Sequence, residues 1–241
     1  MTIDDAEHIS PERRSEIIAS YPPHEVEART KGIPALGSGR VYPVTEEQIT
    51  VDAFAVPDHW ALIGGLDYGW DHPTAAAQLA WDKDADVIYV GACYRRKEAT
   101  PLEHAASLKP WGEFPWAWPH DAYQRDKRSG GTLKDDYSSS GMKMLAQHAT
   151  FPDGGNGVEA GIMEILTRMQ SGRFKVFAHL SDWFEEFRMY HRKDGEIVKL
   201  RDDLMDATRY AVMMRRFAEP AYTQDDDWQH EEFGRNEVTG Y

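Results

Sequence analysis

Apolar and polar positions change rhythm several times along the chain, and each rhythm predicts an element. Trp60-Ala61-Leu62-Ile63-Gly64-Gly65-Leu66 is an unbroken apolar run, as expected of a strand buried on both faces, and it ends at Asp67. Gly69, Asp71, His72 and Pro73 make a turn. Ala75 to Trp81 reads as a second strand, Asp82 to Asp86 as a polar turn, and Val87 to Tyr94 as a third strand. Strands joined by turns this short form an antiparallel meander. Thr100 opens a helix over Pro101–Lys109, with proline in its first turn. Trp116 to His120 is a short fourth strand leading to Asp121. Gln124 to Asp136, polar and basic around Gly130-Gly131, reads as a loop, and Met142 to His148 as a helix. Gly157 to Gly172 is amphipathic, with Ile162, Ile165, Leu166 and Met169 on one helical face. Phe174 to Phe177 is a fifth strand, and Ser181 caps a helix to about Tyr190. Lys193-Asp194-Gly195-Glu196 is a tight hairpin turn, and Asp202 or Asp203 begins a last helix to about Phe217.

Ahead of His59 the rhythm is weak. Ser10-Pro11 starts a short polar helix that Tyr21-Pro22-Pro23 stops, and Gly32 to Pro43 is a loop. Residues 1–58 therefore read as a linker or lead-in. Residues 59–218 read as one α/β domain with a mixed central sheet of about five main strands flanked by helices. Residues 219–241, with Asp225, Asp226, Asp227, Glu231 and Glu232, are expected to be an acidic, disordered tail. The 241 residues suit one such domain with ragged ends.

Composition adds limits. Hydrophobic residues at 41% and aromatics at 12% indicate a globular middle. A net charge of -14 argues against a broadly basic nucleic-acid surface, but a metal-dependent nuclease itself needs carboxylates. The single cysteine, Cys93, excludes an intrachain disulfide framework. No apolar run reaches membrane-span length and the N-terminus lacks a signal pattern, so a soluble intracellular protein is expected.

Carboxylates carry the candidate chemistry. Asp67 sits where a buried strand meets a turn, and taken alone it reads first as a turn-capping aspartate. Asp121 follows a second apolar run and reads equally as a helix N-cap. On the last helix Asp203 and Asp206 stand three apart and share a face, beside an apolar stripe of Leu204, Ala207, Ala211 and Met214. The helix dipole accounts for acid in the first turn, but less well for Asp206, which lies deeper. A joint explanation covers all of them. Carboxylate oxygens suit Mg²⁺ or Mn²⁺. Two such ions, ~4 Å apart, activate water and stabilise the leaving oxygen of a phosphodiester. Carboxylates that close repel one another unless cations lie between them. Arg125, Lys127, Arg128 and Lys134 flank the glycine pair beside Asp121 and are candidate phosphate contacts, as are Arg95, Arg96 and Lys97. His120, His148 and His191 read as structural or exposed rather than as ligands, and Trp111, Trp116 and Trp118 as packing residues.

The chain resembles the nuclease domain of the large terminase subunit of tailed bacteriophages. Gly65-Leu66-Asp67-Tyr68-Gly69-Trp70 with His72-Pro73-Thr74-Ala75 carries the likeness, together with Pro119-His120-Asp121 and Asp202 to Ala211. Gly172 to Phe177 and Tyr190 to Gly195 support it, and Ala28 to Gly39 resembles the segment joining motor and nuclease halves. The resemblance implies an RNase H-like fold and a two-metal endonuclease cutting double-stranded DNA with little sequence preference. Asp67 would bridge both ions, with Asp121 and Asp206 each holding one, Asp203 assisting and Asp71 as an outer ligand. Family members differ over which acidic position of the last helix does the work. The implied partners are double-stranded DNA, the ATPase half, the small terminase subunit and the portal, in the host cytoplasm. Another RNase H-like nuclease, such as a junction resolvase or hybrid cutter, and a non-catalytic docking domain for the portal or small subunit are the alternatives. No Gly-x-x-x-x-Gly-Lys-Ser/Thr is present, so no ATP hydrolysis is expected, and the chain reads as a domain of a longer protein.

Overall fold

The computed structural model describes residues 10–19, 39–120 and 132–220. Asp121, Arg125, Lys127, Arg128 and the expected tail from residue 221 onward lie outside the described residues. The Ser10 hydroxyl accepts from the Arg13 amide at 3.3 Å and opens α1 (Pro11–Ala19), the start that Ser-Pro implies. Residues 39–58 depart from the lead-in expected for them. Val41, Tyr42, Val44 and Ile49 are buried, and α2 (Glu46–Ile49) feeds β1 (Thr50–Val51) onto the sheet. These apolar residues complete a core built mostly by others, so they need no periodicity of their own.

The meander forms as expected from β2 (Ala61–Asp67), β3 (Thr74–Asp82) and β4 (Val87–Arg96), all antiparallel. Next come α3 (Pro101–Leu108) and β5 (Trp116–Ala117), which runs parallel to β2 with Gly65 beside Ala117. Thr132 caps α4 (Leu133–Ser139), where the sequence suggested only loop. The helix expected over Met142–His148 is absent. That segment is extended against β5, with the Trp116 amide on the Lys143 carbonyl and the Leu145 amide on the Trp116 carbonyl, each at 2.9 Å. Its apolar residues Met142 and Met144 alternate, which suits an edge rather than a helix.

The chain continues through α5 (Val158–Gln170), β6 (Phe174–Phe177) and α6 (Ser181–Met189). The N-cap of α6 is Leu180, not Ser181. A two-stranded hairpin of β7 (Arg192–Lys193) and β8 (Glu196–Ile197) turns through Asp194 and Gly195, at φ 53° and 88°. Then follow α7 (Asp203–Met213), a 3₁₀ turn over Arg215–Phe217 and β9 (Glu219–Pro220). The strand order is β1-β6-β4-β3-β2-β5, with β9 also pairing β2.

Two layers of side chains cover the sheet. On one face Ile63, Ala75, Ala77, Leu79 and Val90 pack with Ile165 of α5, Trp183 and Phe187 of α6, and Leu204, Ala207 and Ala211 of α7. On the other, Leu62, Leu66, Ala76 and Ala80 pack with Leu108, Phe114, Trp116 and Tyr137. The result is a three-layer α/β/α sandwich. Among the described residues no helix is long and apolar enough to cross a membrane.

Candidate active site

β2 alternates its side chains between the two layers, so Ala61, Ile63, Gly65 and Asp67 all point to the α7 face. Gly65 fixes how close the helix comes. A Cβ there would sit 1.8 Å from the Ala207 carbonyl oxygen, so strand and helix touch backbone to backbone. Asp67 is the next residue on that face and only half-buried, at the end of the strand. Its neighbours in register are Ala75 on β3 and then Arg95 on β4, so Asp67 and Arg95 flank Ala75 across two strand spacings, roughly 10 Å. The turn beyond Asp67 is pinned by Thr74, whose hydroxyl donates to the Gly69 carbonyl at 2.8 Å. It leaves Asp71 and His72 exposed.

The first turn of α7 lies at this same end. Burial raises the Asp203 carboxyl above its ordinary range; His72 opposes the rise, Asp206 adds to it, and Arg95 opposes it. Burial, then repulsion from Asp206 and Asp203, pushes Asp202 up to about 6. Asp206 has a different setting. It is ion-paired at 3.0 Å with Arg209, whose side chain is only 4% exposed. It also adds negative field at the buried Tyr190 and Tyr42. The expected apolar stripe of Leu204, Ala207, Ala211 and Met214 is buried as read.

One carboxylate here escaped the sequence reading. Glu186 of α6 is fully buried, and its Oε2 accepts from the Leu204 amide at 2.6 Å while Oε1 accepts from Arg95 at 3.1 Å. Burial pushes it up to about 7. Its place was legible, since it stands three after Trp183 and four before Tyr190, on the buried side of α6. Arg95, suggested as a phosphate contact, is instead held by Glu185 at 2.7 Å, Glu186 at 3.1 Å and Asp182 at 3.5 Å. Arg96 pairs with Glu103 at 3.3 Å. Of the loop cations only Lys134 is described, 3.8 Å from Asp135 on α4. The His120 and His148 rings lie 4.8 Å apart, and His191 Nδ1 is 2.7 Å from the Met189 carbonyl. Among the described residues no three His, Cys, Asp or Glu side chains form a metal-binding group. The described chain stops at His120, one residue short of Asp121.

A mixed sheet with a central antiparallel meander, helices on both faces and a carboxylate-bearing last helix over β2 is an RNase H-like nuclease fold. The profile of the terminase RNase H-like domain matches residues 64–215, and that of the T4-like terminase large subunit N-terminal region matches residues 1–49. The terminase large subunit of Salmonella phage P22 is 52% identical over 220 residues, 90% of this chain and 44% of that protein. The chain thus spans under half the length of this curated relative. The structure of the P22 large terminase nuclease domain is 50% identical, with a TM-score of 0.72 over 77% of this chain and 96% of that one. The large terminase of a thermophilic bacteriophage, 20% identical, shares the fold with a TM-score of 0.59 over 90% of this chain and 55% of its own. The chain belongs to the large terminase family, and its sheet and covering helices are that family's RNase H-like domain.

Proposed function

We propose that the chain is a metal-dependent endonuclease that cuts double-stranded viral DNA with little sequence preference during genome packaging. The observation that carries the reading is that Asp67 ends β2 while Asp203 stands in the first turn of α7, the helix packed on that strand at Gly65, in a domain of this family. The donor set fits Mg²⁺ or Mn²⁺: hard oxygens, partly withdrawn from water, whose mutual repulsion a cation relieves. Asp67, Asp203 and Asp121, which follows β5 in the sequence, would hold two such ions. When bound, these would supply an activated water and charge stabilisation at the phosphodiester. Asp71, exposed on the adjoining turn, is at most an outer ligand. The chain's own residues orient that chemistry. β2 and α7, locked together at Gly65, keep the two described carboxylates in register with the sheet end. Asp206, expected from sequence to ligate directly, is assigned here to holding Arg209, and Asp203 takes its place.

Lys134 and the cations at 125, 127 and 128 would contact phosphates, and the ATPase half, small terminase subunit and portal would be partners in the host cytoplasm. Plasmid nicking in Mn²⁺ tests the core of the reading. Asp67→Asn and Asp203→Asn should each lower the rate at least about a hundredfold. Wild-type rates in both variants would sink it. Parallel assays on a four-way junction and an RNA–DNA hybrid separate a duplex cutter from the alternative nucleases. A protein that binds portal or small subunit but never cuts would be a docking domain.

A further inference from the structure

The helix that carries Asp203 has no cap of its own. Its N-cap residue, Asp202, makes no side-chain hydrogen bond to the first turn. Unmet amide donors at a helix start need a partner, above all where the helix is buried. Here the partner comes from a different helix, through the bond from the Leu204 amide to Glu186. The other oxygen of the same carboxylate takes Arg95, which sits in the Asp67–Ala75–Arg95 row of the sheet. A second tie runs beside it, because Glu185 binds both Arg95 and Arg201, the residue just before the α7 N-cap.

We propose that Glu186 is a positioning residue: by capping α7 from α6 and bracing that cap on Arg95, it sets where Asp203 stands relative to Asp67. The inference rests on the metal-nuclease reading above. A buried carboxylate at 0% exposure is costly to keep. A cap alone could come from a serine or aspartate at Asp202's position, with no charge in the core. What the local cap could not do is join the helix start to the strand row that holds Asp67. The bracket is therefore specific to the relation between α7 and the sheet end.

The test is Mn²⁺ binding to the full chain without DNA, by calorimetry, alongside plasmid cleavage over a Mn²⁺ series and urea unfolding. Groups that orient metal ligands typically cost about ten- to a hundredfold in metal affinity when removed. Glu186→Ala should weaken Mn²⁺ binding within that range, while cleavage at saturating Mn²⁺ recovers towards wild type. Glu186→Gln, which keeps one acceptor, should fall at the lower end, and it decides the matter if the alanine protein does not fold. Ile165→Ala, in the α5 core, serves as the destabilised control and should leave Mn²⁺ binding unchanged. Unchanged affinity in the folded Glu186 variants, or an equal loss in Ile165→Ala, would overturn the proposal. Wild-type protein that neither binds Mn²⁺ nor cuts would overturn the nuclease reading itself, and the proposal with it.

Discussion

Asp203 and Asp206 lie less than one helical turn apart, yet their surroundings differ. Asp206 neutralises Arg209, and the two side chains are 19% and 4% exposed. Removing one partner of a largely buried pair strands the other charge. Asp206→Ala should therefore cost roughly 3 kcal/mol of stability in urea unfolding. Asp203→Asn should leave stability unchanged or raised, since it relieves repulsion at Asp202, while cleavage is lost. A protein destabilised by Asp203→Asn and silent to Asp206→Ala would reverse the assignment. Sequence could show that both aspartates share a helix face. It could not show which of them Arg209 claims, because a guanidinium three residues away reaches its partner or solvent according to what covers it. For Glu186 the spacing shows a place on the buried, otherwise apolar face of α6, but not its partners, which come from β4 and α7.

Elements with strict periods were readable, and those that borrow their core were not. β2, β3, β4, β6 and the α7 stripe follow directly from apolar runs and helical spacing. Residues 39–58, which hold only one short helix and a two-residue strand, and the extended segment 142–148 pack against neighbours, so their patterns answer to surfaces elsewhere in the molecule. Gly65 belongs to the readable set as a strand residue, but its purpose does not. Gly65→Ala would push a methyl into the Ala207 carbonyl, and backbone on both sides leaves nothing soft to yield. A loss of about 3 kcal/mol is expected from urea unfolding, at the upper end for overpacking. Cleavage should fall further than stability alone explains, because the displaced helix carries Asp203 away from Asp67. A wild-type cleavage rate in a folded Gly65→Ala protein would show that the close contact does not serve the site.

At the scale of the molecule, the second layer of the sandwich, on the face opposite α7, holds a pH-sensitive group. His104 is 1% exposed, with its Nδ1 2.9 Å from the Tyr94 hydroxyl. Burial lowers its pKa; a backbone hydrogen bond at Ala99 and the charge of Glu103 oppose this, and Arg96 reinforces it. The folded value lies below the unfolded one. Stability from this group is thus intact above the free histidine value and is lost as pH falls below it, when the unfolded chain takes up a proton that the buried ring resists. Unfolding midpoints should drop from about pH 7.5 towards about 5.5, and His104→Gln should make that drop shallower. An identical slope in the variant would assign the acid sensitivity elsewhere. The fold class was legible from element order, and the family from short motifs. The sharing of one core between the 39–58 segment and the main body was not, since it depends on contacts across more than a hundred residues.

That shared core has a mechanical side. The segment entering at residue 39 bonds first to the hairpin and α6: the Arg192 amide donates to the Gly39 carbonyl, Val41 donates to Tyr190, and Tyr42 stacks on Phe187 at 6.1 Å. β1 then lies along β6, with β4 and β3 between that edge pair and β2. Tension applied at residue 39 is therefore delivered first to the outer edge of the sheet and to α6. In a pulling experiment with handles at residues 39 and 220, the first rupture should release the 39–51 segment as a separate event. A single rupture of the whole body would mean that the edge and the central strand share the strain.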